Sequence, residues 1–166
     1  PEYADAWNSK GNTLSKLDKN EEAIECYDKA SEIVPKNAYA WRNKGLSLQK
    51  LGKNEEAIKR YDKAIELDPN NANSWGVKGN AVRKLAVIEK NESRRKRMYE
   101  ESIECYDKSF EINPNPALLC GKGLTLCLLG KKEEALVCLD KVIEMDPNSK
   151  EMELVKKLKK DYDLGT

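Results

Sequence analysis

The sequence predicts an all-α chain, an α-solenoid of four helix-turn-helix repeats followed by a C-terminal capping helix. Three observations predict it. Landmark residues recur at a fixed period, since Trp7, Trp41 and Trp75 are 34 residues apart, as are Gly11, Gly45 and Gly79. A period of a few tens of residues marks stacked supersecondary units. Within each period, apolar residues fall at helical spacing twice: Trp7, Leu14 and Leu17, then Ala23, Ile24, Tyr27 and Ala30, with Trp41, Leu48 and Leu51, then Ala57, Ile58, Tyr61 and Ala64 in the next. Punctuation fits as well. "DKN" or "GKN" separates the two helices of a pair, and Pro35 and Pro69 end the second helix, because proline disfavours helix at its predecessor.

Taken in order, repeat one covers about 4–37 and repeat two about 38–71. The small residues Gly11, Ala23 and Ala30 let helix axes approach closely. One helix pair is too small to bury its own apolar face, so each must stack on its neighbours. Pro1 holds the place of Pro35, "PEYADAW" aligning with "PKNAYAW". The chain is therefore expected to be a piece of a longer array, with a first helix whose outer face is prone to self-association.

Repeat three, about 72–115, is longer. Gly79 to Ser102 spans 23 residues where Gly11 to Ala23 spans 12, which places an 11-residue insertion at 86–96. Eleven residues are close to three turns at about 3.6 residues per turn, so dividing them between two helices lengthens both without rotating their packed faces. Val82, Leu85 and Ile88 or Glu89 continue the first helix. "KNES" makes the turn with Asn91 or Ser93 as N-cap, and the second helix begins early, from Arg94 onward. The result is a protruding helical hairpin tipped by Arg94, Arg95, Lys96 and Arg97. Cations in a first turn oppose the helix dipole. They are read either as solvation of an exposed tip or as a secondary basic contact for an acidic partner.

Repeat four, about 116–149, has Leu119 in the Trp place, then Gly123, Leu126, Ala135, Leu139, Val142 and Pro147, with one residue lost near "NPNPALL". Residues 150–166 form the capping helix and tail. Asn148 with Glu151 reads as a capping box, and Leu154, Val155, Leu158 and Tyr162 as the apolar stripe laid on repeat four. A membrane-surface helix is the alternative for this Lys-rich stretch.

The Trp, Gly, Ala, Tyr and Pro landmarks resemble the tetratricopeptide repeat, and "YDKAIELDPN" at 61–70 looks like archaeal and bacterial arrays of it. The resemblance covers nearly the whole chain. It implies a right-handed solenoid whose first helices line a concave groove for extended peptides or protein segments. Carried over residue by residue, the groove would present Asn8, Asn12 and Lys16 in repeat one, and Tyr39, Arg42, Asn43 and Lys50 in repeat two. Asn73, Asn80, Arg83 and Lys84 would follow in repeat three. In repeat four the same places are apolar or small: Ala117, Cys120, Gly121, Leu124, Cys127 and Leu128. That surface would take an apolar side chain or lie under the terminal helix. Some family members clamp the acidic tails of cytosolic chaperones. Asn12 and Asn43 match that clamp, but Asn8, Asn73 and Val77 stand where it needs cations, so it is not supported. Lys10, Lys44, Lys78 and Lys122 replace a usual Leu and read as structural, with buried stems; a cationic stripe is the alternative.

Composition narrows the function. Lys+Arg number 30 and Asp+Glu 29, a net charge of +1, so an electrostatic partner must be met by a local patch. There is no histidine, which removes imidazole general-base chemistry and most transition-metal sites. There is also no Gly-rich phosphate loop. The five cysteines include Cys26, Cys105 and Cys138 at one place in the second helices, too far apart to share a metal or a bond. They read as apolar fillers in a reducing cytoplasm. The chain is expected to be non-enzymatic, without metal or cofactor. It reads as a scaffold whose partner is a protein or peptide, and the groove cations would favour an acidic one. Self-assembly is a second reading, and nucleic-acid contact through Arg94 to Arg97 with Arg83 and Lys84 a third, unfavoured one. Deleting 86–96 is expected to leave the fold intact.

Overall fold

A computed structural model of the chain describes residues 2–164. The place of Pro1, and the expectation attached to it, lies outside them. Among the described residues there are nine helices and no strand. They are α1 (Glu2–Lys16), α2 (Asn20–Ile33), α3 (Ala38–Lys50), α4 (Asn54–Leu67), α5 (Ala72–Ile88), α6 (Glu92–Ile112), α7 (Pro116–Leu128), α8 (Lys132–Met145) and α9 (Met152–Asp161). The chain is an all-α helical repeat solenoid. It divides into two compact halves, Pro1–Ala81 and Val82–Thr166.

In the N-terminal half α1 pairs with α2 and α3 with α4, and α2 packs on α3. The pairing rests on a tyrosine against a glycine. A Cβ added to Gly11 would lie 2.6 Å from Cε1 of Tyr27, and one on Gly45 would lie 2.5 Å from Cε1 of Tyr61. Both rings are buried, with Ala23, Ala30, Ala57 and Ala64 around them. The tryptophans tie each hairpin to the end of the preceding one: Trp41 Nε1 donates to the Pro35 carbonyl at 3.0 Å, and Trp75 Nε1 to the Pro69 carbonyl at 2.9 Å.

The recurring lysines have partners that the sequence reading did not assign. Lys44 bonds to Asp28, Lys78 to Asp62 at 2.7 Å and Lys122 to Asp107 at 2.5 Å. Each aspartate directly follows the buried tyrosine of the preceding repeat, and the lysine side chains are only 14%, 14% and 23% exposed. Each pair links one hairpin to the next. Lys10, in repeat one, instead lies 5.2 Å from the ring centre of Trp7.

Turn chemistry also repeats. Asp18, Gly52 and Gly130 occupy the same place in repeats one, two and four, all with positive φ (58°, 77° and 77°). Repeat three differs: α5 runs to Ile88, and α6, 21 residues long, starts at Glu92. Asn91 is the N-cap, its Oδ1 accepting from the Arg94 N–H at 2.9 Å. The helix therefore starts two residues before Arg94.

In the C-terminal half α6 packs on α7 and α7 on α8, and α9 covers both α7 and α8. Val155, Leu158 and Leu164 are buried in one cluster with Leu119, Cys120, Leu126, Cys127, Leu139 and Val142. Two sequence expectations are corrected here. The Asn148–Glu151 capping box does not form: the Asp146 side chain accepts from the Asn148 N–H at 3.0 Å, residues 147–151 stay in turns, and α9 has no side-chain cap. A short acidic side chain offers the backbone a local turn that competes with helix initiation. Leu154 is also 39% exposed, and Leu164 takes its place in the core. Among the described residues no helix is long and apolar enough to cross a membrane.

Two sets of variants test this packing. Gly45→Ala forces its methyl into the buried Tyr61 ring, and overpacking of this kind costs about 1–3 kcal/mol. At Gly123 the nearest atom is the end of the flexible Leu139 side chain, at 3.0 Å. The gain in helix propensity, about 1 kcal/mol, then offsets much of the cost. Urea unfolding should show a clear loss for Gly45→Ala and little for Gly123→Ala. Deleting 86–96 places Arg97 where Gly52 and Gly130 have positive φ, costing about 1–2 kcal/mol. Circular dichroism should show a folded deletion variant whose Tm rises with Arg97→Gly; loss of fold in both variants would make the insertion structural.

Candidate functional site

The N-terminal half holds a cleft of about 290 Å³ between α1 and α3, lined by Asn12, Ser15, Lys16, Tyr27, Asn43, Leu46 and Lys50. Helical spacing puts Asn8, Asn12, Ser15 and Lys16 on one face of α1, and Tyr39, Asn43, Leu46 and Lys50 on one face of α3.

Asn43 organises the cleft. It is 8% exposed, and its Nδ2 donates to Asn12 Oδ1 at 2.9 Å and to Asn8 Oδ1 at 3.3 Å. Its Oδ1 accepts from Arg42 Nη2 at 3.1 Å and Nε at 3.3 Å. The buried Tyr27 hydroxyl comes through from α2 and donates to the same Asn12 oxygen at 2.9 Å. An amide has two donors and one acceptor oxygen, so Asn43 is fully used and the oxygens of Asn8 and Asn12 are engaged. What Asn8 and Asn12 still offer a ligand is chiefly N–H groups, with one lone pair left on the Asn8 oxygen.

The cations are set around this network. Arg42 lies over the Tyr39 ring at 5.2 Å, and among the described residues no carboxylate pairs with it. Burial lowers its pKa, partly offset by the nearby tyrosines; a guanidinium so shifted stays charged at neutral pH. Lys50 Nζ donates to the Ser15 carbonyl at 2.5 Å and lies 3.7 Å from Asp18. Ser47, buried beneath, donates to Ser15 Oγ at 3.3 Å.

Six of the residues expected from the sequence thus come together: Asn8, Asn12, Tyr39, Arg42, Asn43 and Lys50. Asn73 is exposed and Asn80 half-buried, both on α5. Arg83 belongs to the C-terminal half, where its Nε donates to the Tyr106 hydroxyl at 3.3 Å. Of the basic run, Arg94 pairs with Glu89 at 3.1 Å and Arg95 donates to the Glu89 carbonyl at 3.3 Å, while Lys96 and Arg97 are exposed. Of the repeat-four places, Cys120 and Cys127 are buried in one cluster with Val155 and Leu158 of α9, while Gly121, Leu124 and Leu128 are half-buried and Ala117 is exposed. Burial pushes the Cys120 thiol up to about 11, and all five cysteines are free and buried. Among the described residues no cluster of metal-ligating side chains occurs. Tyr27 and Ser47 were missed as site residues. Tyr27 enters the sequence pattern only through its helical spacing with Ala23, Ile24 and Ala30, which marks a core position and carries no sign that its hydroxyl reaches the groove.

Burial pushes the Tyr27 phenol up to about 12 and raises that of Tyr61 as well. A folded pKa above the unfolded value of about 10 gives stability that is complete below pH 10 and is lost as pH rises from there toward 12. Alkaline titration followed by tyrosinate absorbance and far-UV circular dichroism should show ionisation and unfolding together above pH 10. Tyr27→Phe should weaken that coupling.

Solved structures agree with this architecture. A thermophilic TPR protein of Thermus thermophilus is 18% identical, with a TM-score of 0.81 over 95% of this chain and 82% of its own. The first TPR of Spaghetti (RPAP3), bound to the HSP90 peptide SRMEEVD, is 25% identical, with a TM-score of 0.60 over 69% of this chain and 82% of its own. The Sgt2 TPR domain of Aspergillus fumigatus is 24% identical, with a TM-score of 0.68 over 80% of this chain and 82% of its own. No curated protein matches the chain. A family model described as a tetratricopeptide repeat matches residues 117–149. The model described as Tetratricopeptide Repeats-Sensor matches residues 19–121, more than half of the chain, and the chain therefore belongs to that family.

Proposed function

We propose that this chain is a non-enzymatic scaffold that holds an extended acidic segment of a protein in the cleft between α1 and α3. One observation carries the reading: Asn43 is saturated inside the protein, so the cleft offers N–H donors and cations with few open acceptors. Carboxylates and peptide carbonyls are what such a surface pairs with. Asn8 and Asn12 would meet backbone carbonyls, and Arg42, Lys16 and Lys50 the acidic side chains. The relative bound to SRMEEVD supports a peptide as occupant, and that peptide is acidic. A clamp specific for the chaperone tail is not proposed, because Asn8, Asn73 and Val77 lack the charges it would need, and SRMEEVD serves as one acidic peptide among others. Five free, buried thiols suit a reducing compartment such as the cytoplasm.

Fluorescence anisotropy with labelled SRMEEVD and a labelled hexaglutamate tests the reading, against an amidated SRMQQVN control. The acidic probes should bind, lose affinity as salt rises, and weaken about 10-fold, or about 1.4 kcal/mol, in Arg42→Ala. Asn43→Ala, which frees Arg42, should weaken them too. Equal binding of SRMQQVN, or no effect of Arg42→Ala, would refute the proposal.

A further inference from the structure

The early start of α6 creates a second concave surface that the α1–α3 cleft does not explain. Glu92, Arg95, Lys96 and Tyr99 follow one another at helical spacing along one face of its first turns. With Leu128, Leu129 and Lys131 from the end of α7 and the following turn, they enclose a cleft of about 270 Å³. All of these residues lie in the C-terminal half. The floor is apolar: Tyr99 is buried, and Leu128 and Leu129 are half-buried. Three cations stand at the rim, Arg95, Lys96 and Lys131, against one lining carboxylate, Glu92.

The charge is unusual for its place. Its counterparts α2, α4 and α8 all carry two glutamates in the first turn: Glu21 and Glu22, Glu55 and Glu56, Glu133 and Glu134. Acidic residues there complement the positive end of the helix dipole, and cations oppose it. α6 has Glu92 alone, followed by Arg94 to Arg97. Among the described residues Arg94 pairs with Glu89 and Lys131 with Glu134, while Arg95, Lys96 and Arg97 pair with no carboxylate. An anion at the rim would satisfy both the cations and the dipole.

We propose that this cleft is a second peptide site, which takes an acidic segment by one bulky apolar side chain. That side chain enters over Tyr99 between Leu128 and Leu129, and flanking carboxylates meet Arg95, Lys96 and Lys131. About 270 Å³ has room for one leucine or aromatic side chain, not for a folded surface. A nucleic acid fits less well, because Glu92 would face its phosphates and the floor offers leucines for its bases. The site does not depend on the α1–α3 reading.

Methyl NMR of Leu128 and Leu129 in the whole chain reads this cleft alone. The probe is the peptide EEDFDEE, with EEDSDEE, QQNFNQQ and the oligonucleotide dT12 as comparisons. EEDFDEE should shift both methyl pairs. The serine and the neutral peptides should need about 10-fold more, as should EEDFDEE with the double variant Lys96→Ala, Lys131→Ala. Both lysines are exposed, and an unchanged Tm would show that the variant is folded. Arg42→Ala should leave these shifts as they were. No shift by about 1 mM EEDFDEE, equal shifts with EEDSDEE, an unaffected lysine variant, or shifts from dT12 would each overturn the proposal.

Discussion

The contact between one tyrosine and one glycine governs both the packing and the polar surface. The glycine lets the second helix of a hairpin come close, and the ring of Tyr27 or Tyr61 fills the space where a Cβ would stand. Because the ring passes between the helices, its hydroxyl emerges beside the polar face of the first helix. Tyr27 there meets Asn12, Tyr61 meets Gln49 at 3.0 Å, and Tyr106 accepts from Arg83. The same side chain thus closes the core and orients a groove residue. Repeat four tests the rule. Leu139 replaces the tyrosine and brings no hydroxyl, and Cys120 and Cys127 of that first helix are buried in one cluster with Val155 and Leu158 of α9.

The second organising element is the aspartate that follows each tyrosine. Asp28, Asp62 and Asp107 each receive a half-buried lysine from the next hairpin. Such pairs add little net stability, since desolvation offsets most of the attraction, but a lost partner leaves a poorly solvated charge. They therefore fix register more than they add strength. Asp140 shows that the capping helix obeys the same grammar, because Lys159 of α9 reaches it at 2.8 Å. α9 substitutes for a further hairpin in charge as well as in apolar contact.

Most of the fold was legible because its signals are local and repeated. The Trp and Gly period, the turn glycines and the 11-residue offset all come directly from spacing. What stayed hidden depended on geometry across helices. Lys44 could be read as a side chain with a buried stem, but its bond to Asp28 joins two helices at a distance no helical period encodes. The capping box failed for a related reason: Asn148 and Glu151 have the correct spacing, yet Asp146 commits the backbone to a turn first. In the site, residue types and faces were legible, but their hydrogen-bond occupancy was not.

That occupancy changes what the asparagines mean. Read alone, Asn43 is an amide able to donate to and accept from a peptide backbone. In the folded chain its oxygen is taken by Arg42 and its nitrogen by Asn8 and Asn12, so it shapes the site without contributing a free group. Its effect is to turn the oxygens of Asn8 and Asn12 inward and to hold the Arg42 guanidinium in a fixed orientation. A surface of neutral amides, indifferent to sequence, becomes one biased toward acceptors and negative charge. The preference we propose for an acidic segment rests on how the polar groups satisfy one another before any ligand arrives, so that three asparagines would select for charge in a chain whose own net charge is close to zero.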